Sequence, residues 1–392
     1  MAKLSLFGDS MIETGLDTSS NRTLNRWLSG PLVSLLGPAF EDYYNHGNGG
    51  DTIADCLARI ATVTASDADY VLVECGINDL SRPETTLDSM TDDYENIIRA
   101  LKVANKKIIC CTVLERKRTS EGGAVADAQY AIRPQFNDWL RDAYDRGAFE
   151  ALIDFENASN FRYSALDHAD DNTHPNSDVC VKLAKIMASG ISKLLTDNSE
   201  AAQTQGSNLL VEPQLMGNAG TSTNAYISGD IATGWRWLDA QTGTETIVCE
   251  TILNGTGGAQ KLTFAGTPSG TSVGDFFRDN QSSVDITSGQ TVQTSFKLKT
   301  EGLKGIVGIY SQFSLPLTGG TEYLSAMYVG PSDTDTAYRQ IASDETGTYY
   351  SIPYTAPEDL TGCTFRIAVY YLDNTELSGS ATIYEPKVML VS

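Results

Sequence analysis

Long apolar runs are missing from this 392-residue chain. None approaches the ~20 consecutive apolar residues that a helical membrane span requires. The opening Met1-Ala2-Lys3 leads into a short apolar stretch that stops at Gly8, too short for the core of a secretory signal. No signal peptide and no membrane span are therefore expected, and synthesis in the cytoplasm follows. Basic residues are scarce: 28 Lys and Arg stand against 50 Asp and Glu, a net charge of −22. Both halves share it, −12 over residues 1–200 and −10 over 201–392. This disfavours nucleic acid and anionic membranes as partners. It is compatible with a neutral sugar, and equally with an acidic surface that says nothing about partners. Cysteines number seven, an odd count, with no Cys-x-x-Cys pair. Zinc and a disulfide framework are thus disfavoured, and buried free thiols in a reducing compartment are expected. Histidine is rarest of all, with only His46, His168 and His174.

What is present falls into two patterns. Up to about residue 195, short apolar segments alternate with helical periodicities. Lys3–Gly8, Tyr70–Gly76, Lys107–Val113 and Leu152–Phe155 read as strands buried on both faces, with a weaker fifth around Glu41–Tyr44. Helices are expected over 22–36, 51–63, 88–105, 125–146 and 177–195. That order implies a parallel sheet flanked by helices. Residues 198–207 are polar, without periodicity, and read as a linker. Beyond them Gly, Ser and Thr recur and helix signals vanish. Strand-like runs at Glu245–Leu253, Lys261–Phe264, Thr291–Lys299, Gly305–Tyr310, Thr348–Ile352, Thr364–Tyr371 and Thr382–Val391 predict an antiparallel β-sandwich. The expected domains are 1–197 and 208–392.

Four segments of the first half carry chemistry. The first strand ends in Gly8-Asp9-Ser10, where open α/β sheets place their sites. Asn45-His46-Gly47-Asn48-Gly49-Gly50-Asp51-Thr52 is a glycine-rich turn before a helix, able to aim a backbone N–H at an anion. Gly76-Ile77-Asn78-Asp79 puts a side-chain amide after the next strand. Asp171-Asn172-Thr173-His174 supplies an acid and an imidazole three residues apart. A serine hydroxyl needs a base to become nucleophilic, the base needs an orienting carboxylate, and the attacked carbonyl needs donors for its oxyanion.

At these residues the chain resembles the SGNH hydrolases, also called the GDSL esterase/lipase family, with all four blocks in order over about residues 3–195. The resemblance implies a flavodoxin-like three-layer α/β domain. It implies Ser10 as nucleophile, and His174 with Asp171 as base and orienting acid. It implies an oxyanion hole from the Ser10 N–H, Gly50 and Asn78, and no cofactor. The first block lacks the leucine after Gly-Asp-Ser and is closer to acetylesterase branches than to classical lipases.

Other readings of neighbouring residues stay open. Asp9, His46 and Arg82 are candidate substrate contacts. Asp9 equally suits a turn that accepts backbone N–H groups, and Arg82 a surface ion pair. His168 reads as a loop residue. Asp167, Asp170 and Asp171 could be thought to bind a metal with the histidines, but no further convergent ligands are identifiable, so no metal is expected. Ser120-Glu121-Gly122-Gly123 could form a substrate loop or an ordinary flexible one.

The second half resembles the jelly-roll carbohydrate-binding modules of polysaccharide-active enzymes. Trp235 and Trp237 are candidate sugar-stacking residues, expected on opposite faces of an extended strand, one of them in the core. Phe276-Phe277, Tyr349-Tyr350 and Tyr370-Tyr371 are read the same way. Together the halves predict a serine esterase that removes O-acetyl groups from a poly- or oligosaccharide. The alternatives are a lipase or thioesterase of the same family, and a phage tail-spike receptor-binding protein, trimeric and acting outside the cell as part of the virion.

Overall fold

The structure, a computed structural model, describes residues 2–13, 21–22, 28–116, 118–121, 125–158, 173–175, 177–197, 205–210, 214–222, 226–239, 244–254, 257–269, 272–278, 284–328, 344–371 and 374–391. The chain divides into two compact units. One comprises Met1–Leu16, Trp27–Leu32 and Ala39–Ala202, the other Asp17–Arg26, Val33–Pro38 and Gln203–Ser392.

The first unit is built on five strands: β1 (Lys3–Gly8), β2 (Asp42–Gly47), β3 (Tyr70–Glu74), β4 (Lys107–Cys111) and β5 (Ala151–Ile153). Their order in the sheet is β2-β1-β3-β4-β5, and every pairing is parallel. The central strands read as apolar runs because helices cover both faces. Leu4, Leu6 and Phe7 on β1, and Val71, Leu72 and Val73 on β3, are fully buried. The connections hold α1 (Ser10–Glu13), α2 (Ser29–Leu36), α3 (Ile53–Ala58), α4 (Ala61–Thr64), α5 (Leu87–Val103), α6 (Asp127–Tyr130), α7 (Ile132–Asp145) and α8 (Ser177–Asp197).

The α/β pattern is the one the sequence predicts, with local differences. The weak fifth strand is a full six-residue β2 at the edge of the sheet. The helix expected over 22–36 starts only at Ser29, and Asn21–Arg22 is instead extended, parallel to Tyr323–Leu324 in the second unit's sheet. The 51–63 helix is two short pieces, and the first carries a capping box in which Thr52 and Asp55 exchange hydrogen bonds.

The second unit is a β-sandwich of two eight-stranded sheets. One centres on Ile306–Leu317 and Leu360–Tyr371, the other on Thr291–Lys304 and Ser378–Val391. Pairings are antiparallel except for three short parallel edges, where Asn21–Arg22, Thr221–Ser222 and Ile227–Gly229 join. All seven strand runs expected in this half overlap strands, with Glu245, Gly305, Ser351 and Ile352 falling outside them. Trp235–Asp239, Ser272–Arg278 and Gly320–Tyr328 are further strands.

The aromatic expectation needs correcting. Trp235 and Trp237 are both 0% exposed. Residues two apart on a strand share a face, so both rings enter the core and neither is a surface platform for sugar. Adjacent pairs do split as the pleat demands. Tyr349 and Tyr371 are buried while Tyr350 and Tyr370 are half-buried, with Tyr370 stacked on Tyr310 at 5.5 Å between ring centroids. The side chains of Phe276 and Phe277 lie outside the described residues. All seven cysteines are free and buried. Among the described residues no helix is long and apolar enough to cross a membrane.

Candidate active site

The site is assembled where β1, β2 and β3 end. Gly8 closes β1 against β3 so tightly that a Cβ there would lie 1.7 Å from the Glu74 carbonyl oxygen, so only glycine fits. Asp9 follows and organises the turn. Its N–H donates to the Glu74 carbonyl (3.2 Å), its Oδ1 accepts the Met11 N–H (3.0 Å), and its own carbonyl accepts from Ile12 and Glu13. These bonds set Ser10 at the first position of α1, where a backbone N–H has no partner within the helix. The far end of α1 is tied down by Asn45, whose Nδ2 donates to the Ile12 carbonyl (2.7 Å) and the Glu13 carbonyl (2.9 Å).

Ser10 Oγ lies 2.7 Å from His174 Nε2, across 164 residues of chain. His174 is part-exposed between buried Thr173 and Pro175, just before α8. With Nε2 unprotonated the hydroxyl donates to it, which is the contact a general base makes with a nucleophile. Asp171, with Asp167, His168 and Asp170, lies outside the described residues, as do Gly122 and Gly123 of the expected substrate loop.

Two further donors converge on this edge. Gly50 has φ +83°, and a Cβ there would meet nothing within 4 Å. Backbone conformation, not space, therefore calls for glycine. Among the described residues the N–H groups of Ser10 and Gly50 donate to no protein acceptor. Asn78 follows β3 through Gly76 (φ +119°) and donates from Nδ2 to the Asp51 carbonyl at 3.0 Å. That bond orients the amide and leaves its second N–H for a ligand. Asp79 turns away: it is 6% exposed and its Oδ2 accepts the Ile53 N–H (3.0 Å) at the start of α3.

Electrostatics separates the candidates. Asp9 is fully buried, which fits the turn-forming one of its two sequence readings rather than a substrate contact. Burial pushes its carboxyl up to about 7; the Met11 N–H opposes this, while the charges of Asp79 and Asp51 add to it. Burial likewise raises Asp79 to about 7. Glu74 is raised well above the ordinary carboxylate range by burial and by Asp9. His46, half-buried beside β1, is held below its usual value by burial and then by the charge of Arg59. Arg82 is exposed just beyond Asn78, and its carbonyl accepts from Gln129 Nε2 at 2.8 Å. Trp235 and Trp237 belong to the core of the other unit.

The sequence reasoning passed over Arg59. Its Nε meets Asp51 Oδ2 at 2.5 Å, its Nη1 donates to the His46 carbonyl and its Nη2 to the Gly8 carbonyl, each at 2.6 Å. The available signal was a lone cation eight residues after Asp51 in an otherwise apolar and acidic helix. Among the described residues, no group of three or more His, Cys, Asp or Glu could hold a metal ion.

The model of the GDSL-like lipase/acylhydrolase family matches residues 6–179. No curated protein matches the chain. Solved structures similar to it include a lipase/acylhydrolase from Enterococcus faecalis, 20% identical, with a TM-score of 0.40, covering 49% of this chain and 96% of that one. A GDSL-like lipase from Bacteroides thetaiotaomicron is 14% identical, with a TM-score of 0.38, covering 50% and 88%. The psychrotrophic esterase EstA from Pseudoalteromonas sp. is 16% identical, with a TM-score of 0.37, covering 50% and 100%. The GDSL-like lipase/acylhydrolase family is thus what residues 6–179, less than half of the chain, resemble.

Proposed function

We propose that this protein is a serine esterase that removes O-acetyl groups from a carbohydrate, with Ser10 as nucleophile and His174 as base. The observation that carries the reading is the 2.7 Å contact between Ser10 Oγ and His174 Nε2. Ser10 Oγ attacks the ester carbonyl as its proton passes to His174. The oxyanion that forms faces the N–H groups of Ser10 and Gly50 and the Asn78 amide. Collapse expels the sugar alcohol, which takes the proton from His174. Water, deprotonated by His174 in turn, then releases acetate from the acyl-serine. Asp171 has the role of orienting the imidazole, and no cofactor enters these steps.

Two features support a short acyl group on a polar alcohol. The large apolar side chains exposed among the described residues of this unit are Val103 (79%) and Tyr144 (42%). Both sit at helix C-termini that lead into β4 and β5, the edge of the sheet opposite Ser10. A long-chain acyl group would need apolar surface near the nucleophile. The acidic charge of −22 also disfavours an anionic lipid surface.

The test is acetate release from O-acetylated polysaccharides, alongside hydrolysis of p-nitrophenyl esters of rising chain length. Wild type is expected to prefer acetate, and Ser10→Ala to release none above background. Equal release by the two proteins would remove Ser10 from its role. A preference for long acyl chains would replace the acetylesterase reading with a lipase or thioesterase one.

A further inference from the structure

Arg59 occupies the C-cap of α3 and reaches back beneath the site. One guanidinium makes three short contacts with three different segments. Nη2 holds the carbonyl of Gly8, the last residue of β1, immediately before Asp9-Ser10. Nη1 holds the carbonyl of His46 near the end of β2, four residues before Gly50. Nε meets the carboxylate of Asp51, the residue after Gly50. The group also lies 4.7 Å from the centroid of the Phe7 ring on β1, a distance at which a cation and an aromatic face attract. Its side chain is 24% exposed and that of Asp51 is 10% exposed, so water competes weakly for these bonds.

The chemistry suits arginine alone. Carbonyls at the end of parallel strands point past the ladder and must find donors elsewhere. The Gly8 carbonyl also accepts the Asn48 N–H at 3.0 Å, and Asn48 Nδ2 in turn meets Asp51 Oδ1. The nucleophile turn and the glycine-rich turn are therefore joined by a closed ring of bonds with Arg59 at its centre. Only a planar fork with several N–H donors can serve two carbonyls and a carboxylate at once; a lysine ammonium is a point charge on a flexible stem. The guanidinium also neutralises the carboxylate that directly follows Gly50, a negative charge that would oppose an oxyanion bound at the Gly50 N–H.

We propose that Arg59 is a positioning residue for the esterase reaction: it fixes the Ser10 turn and the Gly50 N–H relative to one another and cancels the Asp51 charge beside the oxyanion. This rests on the reading of Ser10 and Gly50 given above. Arg59 touches no reacting atom. Its contribution is realised when charge develops on the attacked carbonyl, so it belongs to kcat and not to substrate affinity.

The experiment uses the full chain and p-nitrophenyl acetate, with Arg59→Ala, Arg59→Lys, Arg59→Gln and Ser10→Ala. Arg59→Ala is expected to lower kcat roughly 100-fold, the scale of one oxyanion donor, with KM changed less than about threefold. Arg59→Lys should recover little of this. Added methylguanidinium should raise kcat of Arg59→Ala at least about tenfold, replacing the lost fork, and leave wild type unchanged. If Arg59→Ala does not fold, Arg59→Gln, which keeps an amide donor, is read in the same way. A folded Arg59→Ala or Arg59→Gln with wild-type kcat overturns the proposal. So does a loss that falls on KM alone, or one that lysine repairs fully. Activity that persists in Ser10→Ala would instead overturn the reading of the site itself, which separates the two failures.

Discussion

Removing the Asn78 amide isolates one contribution to the proposed transition state. Asn78 Nδ2 donates to the Asp51 carbonyl at 3.0 Å, so the amide is held before substrate arrives and its other N–H is pre-aimed. Asn78→Ala deletes that donor and frees the Asp51 carbonyl. A preorganised donor to the oxyanion is worth roughly 3–4 kcal/mol, or 10²–10³-fold in kcat, because it acts on charge absent from the ground state. The lost bond to Asp51 should cost about 1 kcal/mol of stability, since the site is only part-buried and water can replace the donor. Asn78→Asp should be worse than alanine at neutral pH, because a carboxylate offers no N–H and brings a like charge to the oxyanion. The assay is steady-state hydrolysis of p-nitrophenyl acetate, with thermal unfolding as the control for folding. The expected result is a kcat lowered at least about 100-fold with KM near wild type. A folded Asn78→Ala within about threefold of wild-type kcat would refute the oxyanion role, as would Asn78→Asp outperforming alanine.

The remaining predictions concern the frame around the site. Asp9 and Asp79 are raised to about 7 in the folded state from an ordinary 3.8. Between about pH 4 and pH 7 the native state thus holds protons that the unfolded state has released, and these two groups make stability fall as pH rises through that window. Urea unfolding at pH 5 and pH 8 should show a smaller difference for Asp9→Asn than for wild type; an unchanged difference would remove Asp9 from the account. Gly8→Ala should abolish folded protein, since its Cβ would meet the Glu74 carbonyl at 1.7 Å, and a soluble, active variant would contradict that geometry. Trp235→Ala and Trp237→Ala should each destabilise the sandwich by roughly 3–5 kcal/mol as large-to-small core changes, seen as a lowered Tm in calorimetry. Wild-type Tm with weakened glycan binding would instead restore the tryptophans as surface ligands.

Much of the fold was legible because its cues are local. The runs Lys3–Gly8 and Tyr70–Glu74 are continuous and apolar, as a parallel strand covered on both faces must be. The change to short, turn-punctuated segments beyond residue 205 marks a sandwich for the same kind of reason. The helix start at Ser29 was misjudged because a periodicity carries no information about Asn21–Arg22 finding a strand edge more than 300 residues away. The polar strand Gly320–Tyr328 was missed because its pairing with Ile306–Leu317 holds it, not its own pattern.

The sequence by itself determined which residue types stand at the ends of β1, β2 and β3, and in what order. It was the resemblance carried by those four blocks that named Ser10, Gly50, Asn78 and His174. Only the tertiary structure decided which of them meet. The 2.7 Å approach of Ser10 to His174 spans 164 residues, the withdrawal of Asp9 into the interior depends on Glu74 and β3, and both tryptophans are buried. Arg59 shows the difference most clearly. Its place as a lone cation after Asp51 does not reveal its role, because its acceptors belong to Gly8, His46 and Asp51, and packing of three separate segments brings them to one guanidinium.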